Sequence, residues 1–402
     1  MTARERFRRR LSRRFNRVLF RVYRLVLPTT APRGPLPPAS LRRILVHPNE
    51  ALGDLLVTTP VLSYLRAVAP QARIDVLATG RNAALLEGDP RVDRVVPFAA
   101  RGWRMLPAVP VLRRERYDLI VVCVFGKHIP EGWIAGLAAR RHTARATVYR
   151  PPQYRGFWTH LGRVPGYDRR TMPERFLHVV QHAVYDGTPP AFPETDRYPL
   201  SVAVPPDAAA RVDAFVRTLP PGPFVAVNCW STIPNRSMQD GQAGEILAAL
   251  AAAHPELAFV LTPHPRADAD AVVRTTHAAA RRLGFADPRL FVFPPSPRLV
   301  DLAALVARAA IVLTPDTANV HLASAVGTPV VALYRALSDG KPNPWRPFGV
   351  AHRVVALPTT RPVGEIPPAM VTEAFASLWA EVDDPTTPRG AAQPAGARGA
   401  AR

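Results

Sequence analysis

The chain has 402 residues, 48% of them apolar, which is more than one hydrophobic core ordinarily organises, so two domains are expected. Its two cysteines, Cys123 and Cys229, lie far apart, which excludes a disulfide framework and a cysteine-based metal cluster and suits a reducing compartment. The formal net charge of +21 raises nucleic acid as a partner, but Lys127 and Lys341 are the only lysines and 46 residues are proline, so the arginine excess in the body reads equally as compositional bias.

Taken in chain order, charge first concentrates in residues 1–27. There Phe7, Leu11, Phe15, Val18, Val22 and Val26 recur at three- or four-residue spacing among Arg10, Arg13, Arg14, Arg17, Arg21 and Arg24. A helix would gather the apolar set on one face and could lie in the interface of an anionic membrane. Arginine interrupts every apolar run, so the segment cannot span a bilayer, and no clean apolar core marks a cleaved signal peptide. A disordered arginine-rich tail and a nucleic-acid-binding arm are the competing readings. Residues 28–42 form a proline-rich linker.

The body then divides into residues 43–190 and 191–383, with 384–402 a disordered Ala, Pro, Gly and Arg tail. ILVHP from Ile44 predicts a strand, 54–68 a helix, and 73–79 and 92–98 two more strands. YDLIVVCVF, 117–125, is the near-continuous apolar run of a strand buried on both faces of a parallel sheet. Residues 151–172, rich in aromatics, glycine and arginine, read as a surface insertion. A helix over 174–185 follows, and the proline-rich PPAFPETDRYPL marks the domain boundary. Alternation restarts with a strand at 224–230, a helix at 245–253, a strand at 257–263, a helix at 268–283, a strand at 290–294 and a helix at 299–309. IVLTPDTANVHLASAVGTPVVALYR, 311–335, reads as strand, turn, helix and strand. The fold class is therefore α/β, with two successive doubly wound units.

Three constellations could carry chemistry. In HPNEALGDLLVTTP, Gly53 sits in a turn after the first strand and Asp54 stands at the mouth of a helix, with Asn49 before it and Thr58 one turn later. Asp54 could take a proton from a hydroxyl, or it could merely cap its helix. In NCWSTIPNRSMQ, Ser231, Thr232, Asn235, Arg236 and Ser237 offer the donors and cation that a diphosphate needs; an ordinary polar loop is the alternative. In the third, Asp316, Thr317, Ala318 and His321 stand where a strand meets a helix N-terminus, a place suited to an anionic or oxygen-rich ligand. His321 could equally be a partly buried histidine bonded to backbone. No metal site is expected: His47, His128, His264 and His321 are scattered, with no acids at ligand spacing. A G-x-G-x-x-G fingerprint and a G-x-x-x-x-G-K-[ST] loop are both missing.

In this order the three constellations resemble glycosyltransferase family 9, the heptosyltransferases of lipopolysaccharide core assembly. Glu50-Ala51-Leu52-Gly53-Asp54 corresponds to the family's G-[AD]-x-G-D-type turn, PQARIDVLAT and RNAALLEGDPRVDRVV to its next two motifs, and DTANVHLASAVGTPVVAL to its D-[ST]-[GA]-x-x-H-L-A-x-A-x-G-x-P-V-V-A-L signature. The similarity runs over residues 43 to 357. It implies a GT-B architecture, two Rossmann-like domains facing across a cleft, with the acceptor on the first and a nucleotide-sugar donor on the second. It implies an inverting, metal-independent transferase with no cofactor, ADP-heptose as co-substrate, and a glycolipid acceptor at the cytoplasmic face of the inner membrane. Asp54 matches the proposed general base; Ser231, Thr232 and Arg236 fall at the diphosphate; Asp316, Thr317, Ala318 and His321 match the donor motif; Asn49, Gly53 and Thr58 border the acceptor. Three positions depart from the pattern. Arg236 stands where many members carry lysine, Ala318-Asn319 replaces Gly-Pro, and His47-Pro48-Asn49 replaces an arginine-containing start. Another nucleotide-sugar reaction, or a degenerate transferase kept as a binding protein, are the alternatives.

Overall fold

The computed structural model describes residues 18, 21–23, 25, 27, 34–48, 51–98, 102–124, 129–148, 156–162, 166–262, 269–284, 289–296, 298–337, 340–358 and 360–383. The chain divides into two units, one of Met1–Ala83, Pro90–Tyr167 and Pro173–Tyr198, the other of Ala84–Asp89, Asp168–Met172 and Pro199–Arg402.

The first unit runs β1 (Arg43–Pro48), α1 (Leu52–Leu56), α2 (Thr59–Val68), β2 (Arg73–Ala78), α3 (Gly80–Ala83), β3 (Arg94–Pro97), α4 (Val109–Arg114), β4 (Leu119–Cys123), α5 (Ile129–Ala138), β5 (Ala144–Val148), β6 (His160–Gly162) and α6 (Met172–Gln181). Its six strands are parallel in the order β3-β2-β1-β4-β5-β6. Residues of β4 and β5 are buried throughout, which is why β4 reads as an unbroken apolar run. Asp75 is fully buried within β2, and its charge is matched: Tyr117 donates to it at 2.7 Å, and Arg73 and Arg94 lie at 2.9 and 3.3 Å.

Several expectations need correction here. The helix expected over 54–68 is two helices, because Pro60 has no N–H to give the Leu56 carbonyl and its ring disfavours a continuous helix. The Thr59 hydroxyl donates to that carbonyl at 2.7 Å, and the Thr58 hydroxyl to the Asp54 carbonyl at 2.8 Å. The expected surface insertion at 151–172 instead buries Phe157 and Trp158 and supplies β6, which pairs with β5. Within the linker, Leu36 bridges to Val184, and Gln71 donates to the carbonyls of Pro38 and Leu41, so residues 34–42 are packed on the unit. Beyond the expected boundary at 190, Tyr198 stacks edge-on against Tyr64 at 5.3 Å, and the Gln181 amide donates to Glu194. In the basic segment, Tyr23 and Leu27, which the spacing did not assign to the apolar face, turn to the core, while Val18 and Val22 are exposed. Phe7, Leu11, Phe15, Val26 and the tail from 384 onward lie outside the described residues.

The second unit runs α7 (Pro206–Val216), β7 (Phe224–Val227), α8 (Asp240–Ala253), β8 (Ala258–Leu261), α9 (Ala269–Arg282), β9 (Leu290–Val292), α10 (Leu299–Arg308), β10 (Ile311–Pro315), α11 (Ala318–Val326), β11 (Val330–Tyr334), β12 (His352–Ala356) and α12 (Pro368–Asp383). The parallel order is β12-β11-β10-β7-β8-β9. Counted from β7, this is the same doubly wound order as in the first unit, with strands reversing direction of growth between β1 and β4 and between β7 and β10. Val225, Val227, Ile246, Phe259, Leu313, Val331 and, from α12, Val371, Phe375 and Leu378 form its core. Burying an aliphatic side chain of this kind stabilises by about 1.5–3 kcal/mol. Among the described residues, no helix is long and apolar enough to cross a membrane.

Candidate functional site

In an open doubly wound sheet the crevice at the carboxyl ends of the two strands flanking the reversal is the natural ligand position. In the second unit those strands are β7 and β10, and the loops that leave them carry two of the three sequence constellations. They are joined by a residue the sequence reading left out of the site. Asn228, directly after β7, donates through its amide to the Trp230 carbonyl at 3.0 Å, the Thr314 hydroxyl at 3.1 Å and the Thr317 hydroxyl at 3.2 Å, and accepts from the Trp230 amide at 3.2 Å. An amide at the end of an apolar strand has to find partners when it is buried, and this was the available signal.

Thr317 is the N-cap of α11: its hydroxyl accepts from the Asn319 amide at 3.3 Å. The helix ends at Gly327, whose φ of 82° is the left-handed conformation that glycine adopts without cost. Thr328 then ties the turn to α10 by donating to the Val306 carbonyl at 2.8 Å. The first-turn amides of α11 therefore emerge at the switch point, with Ala318 as the first helical residue.

The loop after β7 closes on itself. The Ser231 amide donates to the Ser237 hydroxyl at 2.9 Å, the Ile233 amide to the Ser231 hydroxyl at 3.2 Å, and the Met238 amide to the Cys229 carbonyl at 2.9 Å. Thr232 and Asn235 are exposed on it. Arg236 reaches from this loop to the third constellation, its Nη1 lying 2.9 Å from Asp316 Oδ2. Burial pushes the Asp316 carboxyl above the usual carboxylate range, and Arg236 draws it partly back. The Asp316 amide donates to the Leu333 carbonyl at 2.9 Å, and burial together with the Asp316 charge raises the neighbouring Tyr334 phenol. Tyr334 donates to the Trp345 carbonyl at 2.7 Å, and the Trp345 indole meets His321 with ring centroids 5.8 Å apart. Asp316 and His321 are thus linked through Tyr334 and Trp345, two residues that sequence reasoning missed.

Burial lowers His321 to about 4, so the ring is neutral at pH 7. It is only 4% exposed, and its Nδ1 has no hydrogen-bond partner among the described residues. The backbone-bonded alternative for that nitrogen is therefore set aside. Cys229 is fully buried, which pushes its thiol up to about 12 and leaves it inert as a nucleophile.

In the first unit, Asp54 lies on α1, immediately after β1, one of the two strands at that sheet's reversal. The N-cap of α1 is Ala51, with no side-chain cap bond, so Asp54 is not the capping residue. It is third in the helix and 9% exposed, a position where a carboxylate is favoured by the helix dipole. The turn expected around Gly53 is helical instead: Gly53 is the second residue of α1, its φ is not positive, and its carbonyl accepts from the Val57 amide at 3.0 Å. Thr58 is fully buried beneath Asp54 as its carbonyl's partner. His47, also buried, meets the Phe98 ring edge-on at 5.8 Å. Asn49, His128, His264 and Asp268 lie outside the described residues. Among the described residues no group of three or more His, Cys, Asp or Glu is placed to hold a metal ion.

Two doubly wound units of this strand order are the build of the GT-B architecture. Residues 258–362 match glycosyltransferase family 9 (heptosyltransferase). Lipopolysaccharide heptosyltransferase 3 of Escherichia coli (strain K12) is 26% identical over 310 residues, 73% of this chain and 82% of that protein. The chain is thus similar to glycosyltransferase family 9, over a segment of its second unit by the family match and over most of its length by the relative. Its fold is shared by the glycosyl transferase family 9 protein of Veillonella parvula DSM 2008, with a TM-score of 0.64 at 18% identity, covering 85% of this chain and 97% of that one. It is shared also by E. coli ADP-heptose lps heptosyltransferase II, with a TM-score of 0.60 at 19% identity, covering 85% and 99%.

Proposed function

We propose that this enzyme transfers a heptose, or a closely related sugar, from ADP-heptose to a glycolipid acceptor of the lipopolysaccharide-core type, with inversion and without a metal. The observation that carries the proposal is the Asn228, Thr317, Arg236 and Asp316 cluster at the β7/β10 switch point. A nucleoside diphosphate needs a cation and several donors, and here Arg236, the Ser231 and Thr232 hydroxyls and the first-turn amides of α11 would supply them. The second unit would hold the donor and the first unit the acceptor.

In this scheme Asp54 accepts the proton of the acceptor hydroxyl as its oxygen forms a bond to the anomeric carbon. The bond from that carbon to the β-phosphate oxygen breaks, and ADP leaves with the electron pair. Arg236 and the α11 amides stabilise the charge that builds on the diphosphate. Asp316 keeps the guanidinium aimed while leaving its other N–H groups for phosphate oxygens. Neutral His321 offers a hydrogen bond to the donor, and Gly53, Thr58 and Asn49 border the acceptor. The basic segment, residues 1–27, would attach the protein to the anionic cytoplasmic face of the inner membrane, where such an acceptor is found.

Calorimetry with ADP and ADP-heptose tests the donor assignment. Arg236→Ala is expected to weaken both by about 1.5–3 kcal/mol, roughly 10- to 150-fold. Unchanged ADP affinity in that variant, or no ADP binding by the parent, would refute the assignment.

A further inference from the structure

Two sides of the helical stretch in the basic segment behave differently. Tyr23 is fully buried, its ring edge-on to Phe157 at 4.1 Å and to Trp133 at 5.1 Å, and its hydroxyl accepts from Arg145 Nη1 at 2.7 Å. Leu27, one turn later, packs against the same cluster, and its amide donates to the Tyr23 carbonyl at 2.7 Å. Two glycines of α5 make the room. A Cβ on Gly136 would stand 2.6 Å from the Tyr23 hydroxyl, and one on Gly132 would stand 2.9 Å from the Phe157 ring. Side chains at either position would close the groove.

Val18, Val22 and Leu25 are by contrast 56%, 41% and 86% exposed. At about 100° per residue they form a single stripe, roughly 150° round the helix from Tyr23 and Leu27. Arg21 is exposed beside them, and residues 1–27 hold ten arginines and one glutamate. An apolar stripe beside an exposed cation, in a segment so rich in arginine, matches a surface that is anionic at its headgroups and apolar just beneath. Nucleic acid would be served by the arginines alone and gives the outward valines and leucine nothing to do.

We propose that Val18, Val22 and Leu25, with Arg21 beside them in this arginine-rich segment, are the contact face for a bilayer carrying anionic headgroups, and that Tyr23 fixes this face to the first unit through the α5 groove. The inference rests on the membrane attachment proposed above and assigns the residues that make it and the residue that orients it. An interfacial helix on a loose tether would leave the acceptor-binding unit free to turn. Seated by Tyr23, it sets one orientation of that unit at the lipid surface.

The test uses the full-length chain in co-flotation with phosphatidylcholine vesicles, with and without phosphatidylglycerol. The parent should float with the anionic vesicles only. The combined Val18→Ser, Val22→Ser and Leu25→Ser variant, altered at exposed positions, should melt like the parent and lose roughly tenfold or more in binding. Tyr23→Ala should float within about twofold of the parent, because its arginines and stripe remain. Its α5 amides, 129–138, should exchange hydrogen faster than the parent's when both are vesicle-bound. A parent that ignores anionic vesicles overturns both the membrane attachment and the contact face. A parent that binds, matched by an equally bound triple-serine variant, overturns the face alone. An RNA or DNA oligonucleotide held more tightly than vesicles by parent and triple variant alike would replace the bilayer with nucleic acid. Unchanged α5 exchange in Tyr23→Ala overturns the clasp.

Discussion

Replacing His321 with glutamine should change how the protein responds to acid, by an amount that follows from its burial. In the folded unit the imidazole is held at about 4, against an ordinary 6.5, because burial strips water from its ring. Between those two values the unfolded chain takes up a proton at this position and the folded chain does not. Stability contributed by neutral His321 is therefore present above pH 6.5 and is lost as pH falls toward 4. Integrating between pH 7 and pH 5 gives a loss of about 2 kcal/mol from this one residue. Glutamine does not titrate, so His321→Gln should lose that much less over the same interval, whatever its stability at pH 7. Urea unfolding of parent and variant at both pH values reads the difference from the midpoints. Losses agreeing within about 0.5 kcal/mol, the usual spread for independent effects, would refute the assignment of a depressed pKa to this histidine.

Asn228→Ala removes a buried amide on which Trp230, Thr314 and Thr317 depend, and should cost about 1–3 kcal/mol of stability. Thermal unfolding with and without ADP should show both a lower midpoint and a smaller ADP-induced rise; parent values for both would contradict its bracing role. Arg236→Lys keeps a cation but not the planar fork, so ADP affinity measured by calorimetry should fall between the parent and Arg236→Ala. Parent affinity in the lysine variant would show that geometry at this loop does not matter.

The parts of the fold legible in the sequence were those whose local signal agrees with their environment. β4 is buried on both faces and reads as LIVVC, and β10, α11 and β11 are announced by an apolar strand, a Thr cap, a Gly-Thr-Pro end and another apolar strand. β5 was missed because Arg145 and Thr147 interrupt its apolar run; their polar groups are answered by Tyr23, Thr159 and the Val122 carbonyl, none of them nearby in sequence. The break between α1 and α2 was written in Pro60 and the two threonines before it, but a strong apolar period concealed it. At the candidate site, Asp316, Thr317 and Arg236 were chosen from their types and spacing. Asn228, Tyr334 and Trp345 were not, because their importance comes from side-chain partners up to 89 residues away. The exposure of Val18 and Val22 could likewise not be read from a periodicity that gives a face without saying what covers it.

The central claim is metal-free sugar transfer with Asp54 as base, and the most direct measurement is acceptor-dependent release of ADP from ADP-heptose by the parent and Asp54→Asn, with ADP-heptose affinity determined for each protein. Loss of a positioned general base should lower kcat by about 10²- to 10⁴-fold while donor affinity stays within a few-fold of the parent. Turnover by Asp54→Asn at the parent rate, with the donor bound normally, would contradict the account.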